Sequence, residues 1–573
     1  MGLGNETHRA APTDGRAESA SSEFARPVQS DEALLYNVLA FTAAVCRIPG
    51  ARQSVEASDP KALYTPLLDC SPPELSSAFS ELLSRGVITK AEAAFAQSEL
   101  RRFRQETFFD AVRATPTLEY PRNISPQGLP ETQIWRMLEL LIASNRCQVT
   151  SGEAFARPVT GTHALPAEVV RQLSTRLKPN LPLTFAYNGV WDAVEAAGDC
   201  FLGLANHPSP AEGGAVVLKS ATQSLQQALH LYRSAYFAKH GVSIDTVGIA
   251  GAATLDIPRP AILAPVNSTI VLSKAAALVG YGKDDIFLYE LDEHYQADEG
   301  AVRETVERIH RSGRRIVTHL AVAGDAERGI AHDVQRLDQV VSEKCVYLGY
   351  RPPVVVDAAA QWLNFFMSEQ SSAWDFRSDN DNIRAIIVDP QKIELPYDLS
   401  LLLLRDYRDL SVLVDHEQCP QPDKRFLLAQ ANNILSRGGE AVVAAYFYML
   451  NQGLEGLRES RLQILAHSRM LADFIRHDPR YSLITEPQGS VIAWRLNSPD
   501  PLANWRFAQR MNAQREDKLL LSYNLQCRVR TAEELGRALR GDRSFDGIVA
   551  HFMEHNSARN VEYLIDRLKN DIA

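Results

Sequence analysis

The sequence has no CxxC pair and no Cys/His cluster at metal-ligand spacing. Its cysteines, Cys46, Cys70, Cys147, Cys200, Cys345, Cys419 and Cys527, are scattered and odd in number. That pattern argues against a disulfide framework or a zinc site and fits a reducing, cytoplasmic setting. Positive charge is also in short supply. With a formal net charge of -10 the chain has no general attraction to nucleic-acid phosphates or anionic lipid, so neither nucleic acid nor membrane is expected as a partner. No run reaches the roughly 18 uninterrupted apolar residues that a membrane span requires. The opening "MGLGNETHRAAPTDGRAESASSEFARPVQSDE" lacks the apolar core of a secretory signal. Glu6 stands where the myristoylation pattern prefers Ser or Thr.

What is present is globular composition, 45% hydrophobic and 23% charged over 573 residues, which is too long for one ordinary domain. Residues 1–31 read as a disordered tail. Segments such as "ALLYNVLAFTAAVC" and "AEAAFAQSELRRFRQETFFDAV" carry apolar residues at helical spacing, so 32–180 is expected to be a helical N-terminal region. From about 205 to 410 the rhythm alternates. Strand-like "GAVVL", "TIVL", "IFLYEL", "RRIVTHLAVAG", "PPVVVDA" and "RAIIVD" are separated by amphipathic helical segments. This predicts an α/β domain over 181–429, a large and mainly parallel sheet covered by helices on both faces. A long helical stretch and the strand candidates "YSLITE" and "SVIAWRL" predict a smaller α+β domain over 430–573.

Three features of the alternating region belong together chemically. In "EGGAVVLKSATQSLQQALHLYR" a strand leads to Ser220, Ala221 and Thr222 at a helix start, where unpaired amides and the helix dipole suit a phosphate. In "PPVVVDAAAQW" Asp357 ends a β-branched run and small residues follow, leaving room for a flat ring. In "IRAIIVDPQKIELPYDLSLLLLRD" Lys392 sits just past the next strand end. Ligands of such sheets bind outside the carboxyl ends of the strands. A helix start for a phosphate, a carboxylate for a pyridine nitrogen and an amine for an aldehyde are the three requirements of pyridoxal 5'-phosphate.

From about 205 onward the chain resembles the group II pyridoxal-phosphate-dependent amino-acid decarboxylases, the family of aromatic-amino-acid and glutamate decarboxylases. The motifs run in order: "EGGAVVLKSATQSLQQAL", "TIVLSKAAALVGYGKDDIFLYELDE", "AVAGDAERGIAHDVQRLDQV", "VVVDAAA", "VDPQKIELPYDLSLLLLRD" and "LSRGGEAVVAAYFYMLNQGLEGLRE". The resemblance implies a homodimer of the type I aminotransferase-like fold that releases carbon dioxide from an amino acid. It implies that Lys392 is the Schiff-base lysine, that Asp357 pairs with the pyridine nitrogen and that Ala359 lies against the ring. Ser220, Ala221, Thr222 and Asp389 are implied around the phosphate.

The departures from the family bear on the reaction. Thr269 stands where the family stacks a histidine on the ring, and Gln391 replaces the histidine before the lysine. The Gly-Thr-Thr motif becomes Gly324, Asp325, Ala326, and the aspartate that follows it falls on His332 or Asp333. In many members a mobile loop carries a catalytic tyrosine in this part of the chain; the stretch from Arg405 to Ser436 is short for that loop, and its one tyrosine is Tyr407. These changes leave the protonation that follows decarboxylation without an obvious donor. His319, His332 and Arg437 are the remaining candidates for substrate contact. The alternatives to decarboxylation are oxidative deamination to an aldehyde, carbon–heteroatom cleavage, or a non-catalytic homologue.

Overall fold

The computed structural model describes residues 165–570 except 269, 369–372, 394, 396–397, 415–421, 434–435, 514–520, 525–526 and 541–545. It also describes the isolated positions 80, 82–84, 132, 134, 137 and 155. The expected tail and most of the expected N-terminal helical region lie outside these residues, as does Thr269. The chain divides into two compact units, Met1–Thr107 and Phe108–Ala573, and every element named below belongs to the second.

Among the described residues, seven strands form one sheet: β1 Gly214–Leu218, β2 Arg259–Pro265, β3 Ile286–Tyr289, β4 Arg314–Val322, β5 Val354–Asp357, β6 Ile383–Val388 and β7 Ser400–Leu404. Their spatial order is β1-β7-β6-β5-β4-β2-β3. The pairs among β2 to β6 are parallel, whereas β7 runs antiparallel to both β6 and β1. Strands such as "VVV" and "AIIV" are apolar at every position because helices cover both faces. The helix Ala221–Lys239 lays Leu225, Leu229, Tyr232 and Tyr236 onto one face at 3.6-residue spacing. Helices Glu299–Arg311 and Val334–Cys345 bury Val302, Val306, Leu337 and Val341 against the other.

The described part of the segment "TIVL", residues 270–272, is not a strand. Residues 270–272 open the helix Ile270–Leu278, and the strand expected there is β2, "RPAILAP", eleven residues earlier at its first residue. Its flanking prolines weaken the strand signal, but they sit at the two ends of β2, where the lost N–H is tolerated.

A second sheet follows, β8 Tyr481–Leu483, β9 Val491–Leu496, β10 Ser522–Asn524 and β11 Gly547–His551, antiparallel in the order β10-β11-β9-β8. The helix Glu440–His477 joins it to the first sheet and breaks helical geometry at Gly453, whose φ of 63° few other residues adopt. Ile464, Leu471 and Ile475 from this helix pack with Trp494, Phe507 and Leu564 into the second core. No helix among the described residues is long and apolar enough to cross a membrane.

Candidate functional site

Parallel register brings the strand ends together. Val322, Asp357 and Ile387 are neighbours at the carboxyl ends of β4, β5 and β6, and Asp389 lies one residue beyond β6. Pro390 then starts a single 3-10 turn, Pro390–Lys392, that carries the lysine out over the same edge. Asp389, Asp357 and Lys392 share one electrostatic neighbourhood. Burial pushes the Asp389 carboxyl up to about 6, with Asp357 adding to the rise and Lys392 and the Ser400 hydroxyl opposing it. Oδ2 of Asp389 accepts from Gln391 Nε2 at 3.2 Å, while its buried Oδ1 has no hydrogen-bond partner among the described residues.

The helix start is tied to this group through β7. Leu218, the last residue of β1, is in register with Ser400. Ser400 Oγ donates to Val388 O at 3.2 Å and shares a 2.7 Å hydrogen bond with Ser224 Oγ in the first turn of the 221–239 helix. Ser220 caps that helix by accepting from Gln223 N at 3.4 Å, and the Gln223 side chain in return accepts from Lys219 N at 3.0 Å. Ala221 and Thr222 therefore sit at the positive end of a 19-residue helix dipole, on the sheet edge that holds Lys392.

Asp357 Oδ1 accepts from Ala359 N at 3.1 Å, and burial raises the carboxyl above its ordinary value. Trp362 Nε1 donates to Asp389 O at 2.9 Å and fixes the segment after Ala359 beneath the lysine turn. Gln361 joins the two sheets: its Nε2 donates to Asp325 O at 3.2 Å, and its Oε1 accepts from Ser490 N at 2.9 Å. A Cβ on Gly489 would come within 2.1 Å of that Oε1, so only glycine leaves room for it. A small cavity at Lys392 is lined also by Gln361, Asn364, Ser490 and Glu554. Glu554 follows β11, a strand that the sequence reading did not identify, and no motif marks it.

The site so formed collects Lys392, Asp357, Ala359, Asp389, Gln391 and the Ser220–Thr222 turn. Gln391 serves the loop, its Oε1 accepting from Asp398 N at 3.0 Å and Leu399 N at 3.3 Å. The side chains of the remaining candidates are engaged by other groups. His319 pairs in register with Val354, three residues before Asp357, so period-two alternation turns it to the opposite face. There it lies 3.5 Å from Tyr289 Oη, and burial lowers its pKa to about 4. His332 is buried beside Asn267 and the ion pair Asp325–Arg328 (2.9 Å), and burial holds it neutral, at about 4. Asp325 binds Asn267 Nδ2 and the Arg328 guanidinium, and Asp333 caps the next helix through Arg336 N. Arg437 donates to the carbonyls of Leu428 and Ala429, which end the helix Lys424–Gln430. Tyr407 packs against Gly214, at the start of β1 and the far edge of the sheet from Lys392.

This arrangement fits pyridoxal phosphate. Among the described residues no charged group shifts the buried Asp357 carboxyl, which leaves a protonated ring nitrogen to supply its counter-charge, and the Ser220–Thr222 amides offer an anion seat. The fold is that of solved pyridoxal-phosphate decarboxylases: an Oryza sativa TDC with PLP and tryptamine superposes with a TM-score of 0.66 at 14% identity, covering 84% of this chain and 98% of that one. Among curated proteins the chain is 24% identical over 252 residues to a probable L-tyrosine/L-aspartate decarboxylase of Methanothermobacter thermautotrophicus, 42% of this chain and 62% of the relative. It is 23% identical over 269 residues to a probable L-aspartate decarboxylase of Archaeoglobus fulgidus, 46% of this chain and 66% of the relative. The matches thus span just under two thirds of either relative. No family model matches. The solved structures share the fold, and these curated relatives are named as amino-acid decarboxylases.

Proposed function

We propose that the chain is a pyridoxal-phosphate-dependent amino-acid α-decarboxylase that works as a cytoplasmic homodimer. The observation that carries this reading is the convergence of Lys392, Asp357 and Asp389 with a helix start on one sheet edge. When bound, the cofactor supplies an electron sink for the bond broken at the α-carbon. Asp357 would hold a proton at the ring nitrogen through an ion pair, and Ala359 would leave the ring face open. The Ser220–Thr222 turn binds the phosphate with backbone amides. Asp389, beside the lysine turn, would border the phosphate, as the resemblance implies. Lys392 Nζ is the amine that would hold the cofactor's aldehyde carbon.

Glu554, from the small sheet, lines the Lys392 cavity and takes the role of proton donor that the family's histidine and tyrosine leave vacant here. Among the described residues Cys200, Cys345 and Cys527 form no disulfide, which suits a reducing compartment. The substrate is an amino acid, with aspartate, glutamate and tyrosine, named for the relatives, as the first panel. Assay of that panel should give carbon dioxide and amine in equal amounts without oxygen uptake. Aldehyde with ammonia and peroxide would overturn the reaction in favour of oxidative deamination.

A further inference from the structure

We propose that a second cavity, between the two sheets, binds a small multiply charged oxyanion, a phosphate ester or a polycarboxylate. The cavity measures ≈ 770 Å³ and gathers Arg377, Arg458, Arg461 and Arg469, with no acidic lining residue among the described residues. Such a concentration of one sign is set against the chain's net charge of -10. Arg377 has an acidic partner, Asp375 at 3.1 Å. Arg458, Arg461 and Arg469 have none among the described residues.

Arg458, Arg461, Leu465 and Arg469 recur at helical spacing along one face of the Glu440–His477 helix, so the helix itself aims three guanidinium groups into one space. Arg461 is partly buried, and burial together with the neighbouring Arg469 lowers its pKa. Like charges held together while losing water are unfavourable, and a shared anion reverses the sign of that interaction. Guanidinium groups suit the role because each presents a planar fork to two oxygens.

The cavity adjoins the lysine site through two connections. Arg461 Nε donates to Asn364 O at 2.7 Å, and Asn364 lines the Lys392 cavity. Gln488 lines the anion cavity and accepts from Ala331 N at 3.1 Å, two residues before the Ser490 that holds Gln361. An anion there would clamp the long helix to the sheet domain and stiffen one wall of the lysine site. The site stands independently of the reaction assigned above.

The test uses the full chain saturated with pyridoxal phosphate, which keeps added anion off the Ser220–Thr222 turn. Thermal unfolding is followed against inorganic phosphate or citrate at ionic strength fixed with sodium chloride. A saturable rise in midpoint is expected with at least one anion. Phosphate alone assigns a phosphate ester, citrate alone a polycarboxylate, and when both saturate the tighter binder names the class. The Arg458→Gln/Arg469→Gln variant, both positions being exposed, should need about tenfold more anion or greater. Arg461→Gln should weaken binding at least as much. No saturation beyond the chloride control, or an unchanged requirement in the exposed double variant, overturns the proposal.

Discussion

Asp389→Asn isolates the most perturbed carboxyl of the lysine site. Asp389 is 4% exposed, and its carboxyl moves from the ordinary 3.8 to about 6, burial being the largest cause. Because the folded value lies above the unfolded one, the sign is the reverse of an acid held in an ion pair. Below both values folded and unfolded chains carry the proton, and the group contributes nothing to the pH dependence. Between them the folded chain keeps a proton that the unfolded chain has released, so stability falls as pH rises; above the folded value the whole loss is present. Two pKa units at about 1.4 kcal/mol each give about 3 kcal/mol between about pH 4 and about pH 7. Urea unfolding of cofactor-free wild type and Asp389→Asn, followed by far-UV circular dichroism across that range, measures the difference between the two slopes. The variant should lack this component of the decline. Parallel pH profiles for the two proteins would refute the reasoning.

Ser400→Ala removes the hydroxyl that joins Val388 to Ser224 and leaves the Ser224 hydroxyl without its 2.7 Å partner, so the midpoint in urea should fall by about 1–3 kcal/mol in stability. Gly329→Ala places a Cβ 3.1 Å from Val491 Cβ at a residue whose φ is 75°; differential scanning calorimetry should record a loss of about 1–3 kcal/mol. Glu554→Gln should lower kcat about 10²–10⁴-fold while borohydride still fixes cofactor to Lys392, and retention of full turnover would remove Glu554 from the reaction.

The ends of β5 and β6 were legible because each apolar run stops on or just before a charged residue at the point where the sheet edge meets solvent or ligand. Asp357 and Asp389 both obey this, and the six motifs in series fixed their partners. His319 was not legible in the same way. It lies in a strand three residues before the edge, and only the register with Val354 shows that its side chain faces away from Asp357. Gln391 reads as a lost histidine, whereas the structure gives its amide a tertiary task that no local pattern encodes, holding Asp398 and Leu399. Arg437 looks like a site residue by position in the family pattern, yet helix-end carbonyls claim it. Glu554, Gln361 and Ser490 were invisible because their proximity to Lys392 depends on how the second sheet docks, and β11 is a five-residue strand in a region that reads as helical.

The most direct test of the account is the identity of the residue that borohydride fixes to pyridoxal phosphate. Purified wild type and Lys392→Ala are mixed with cofactor, their visible spectra recorded, and the reduced proteins digested and mapped. The account predicts an absorption band in the wild type, a reduced adduct on Lys392 and neither in the variant. No band in the wild type, or an equal adduct in the variant, would contradict it.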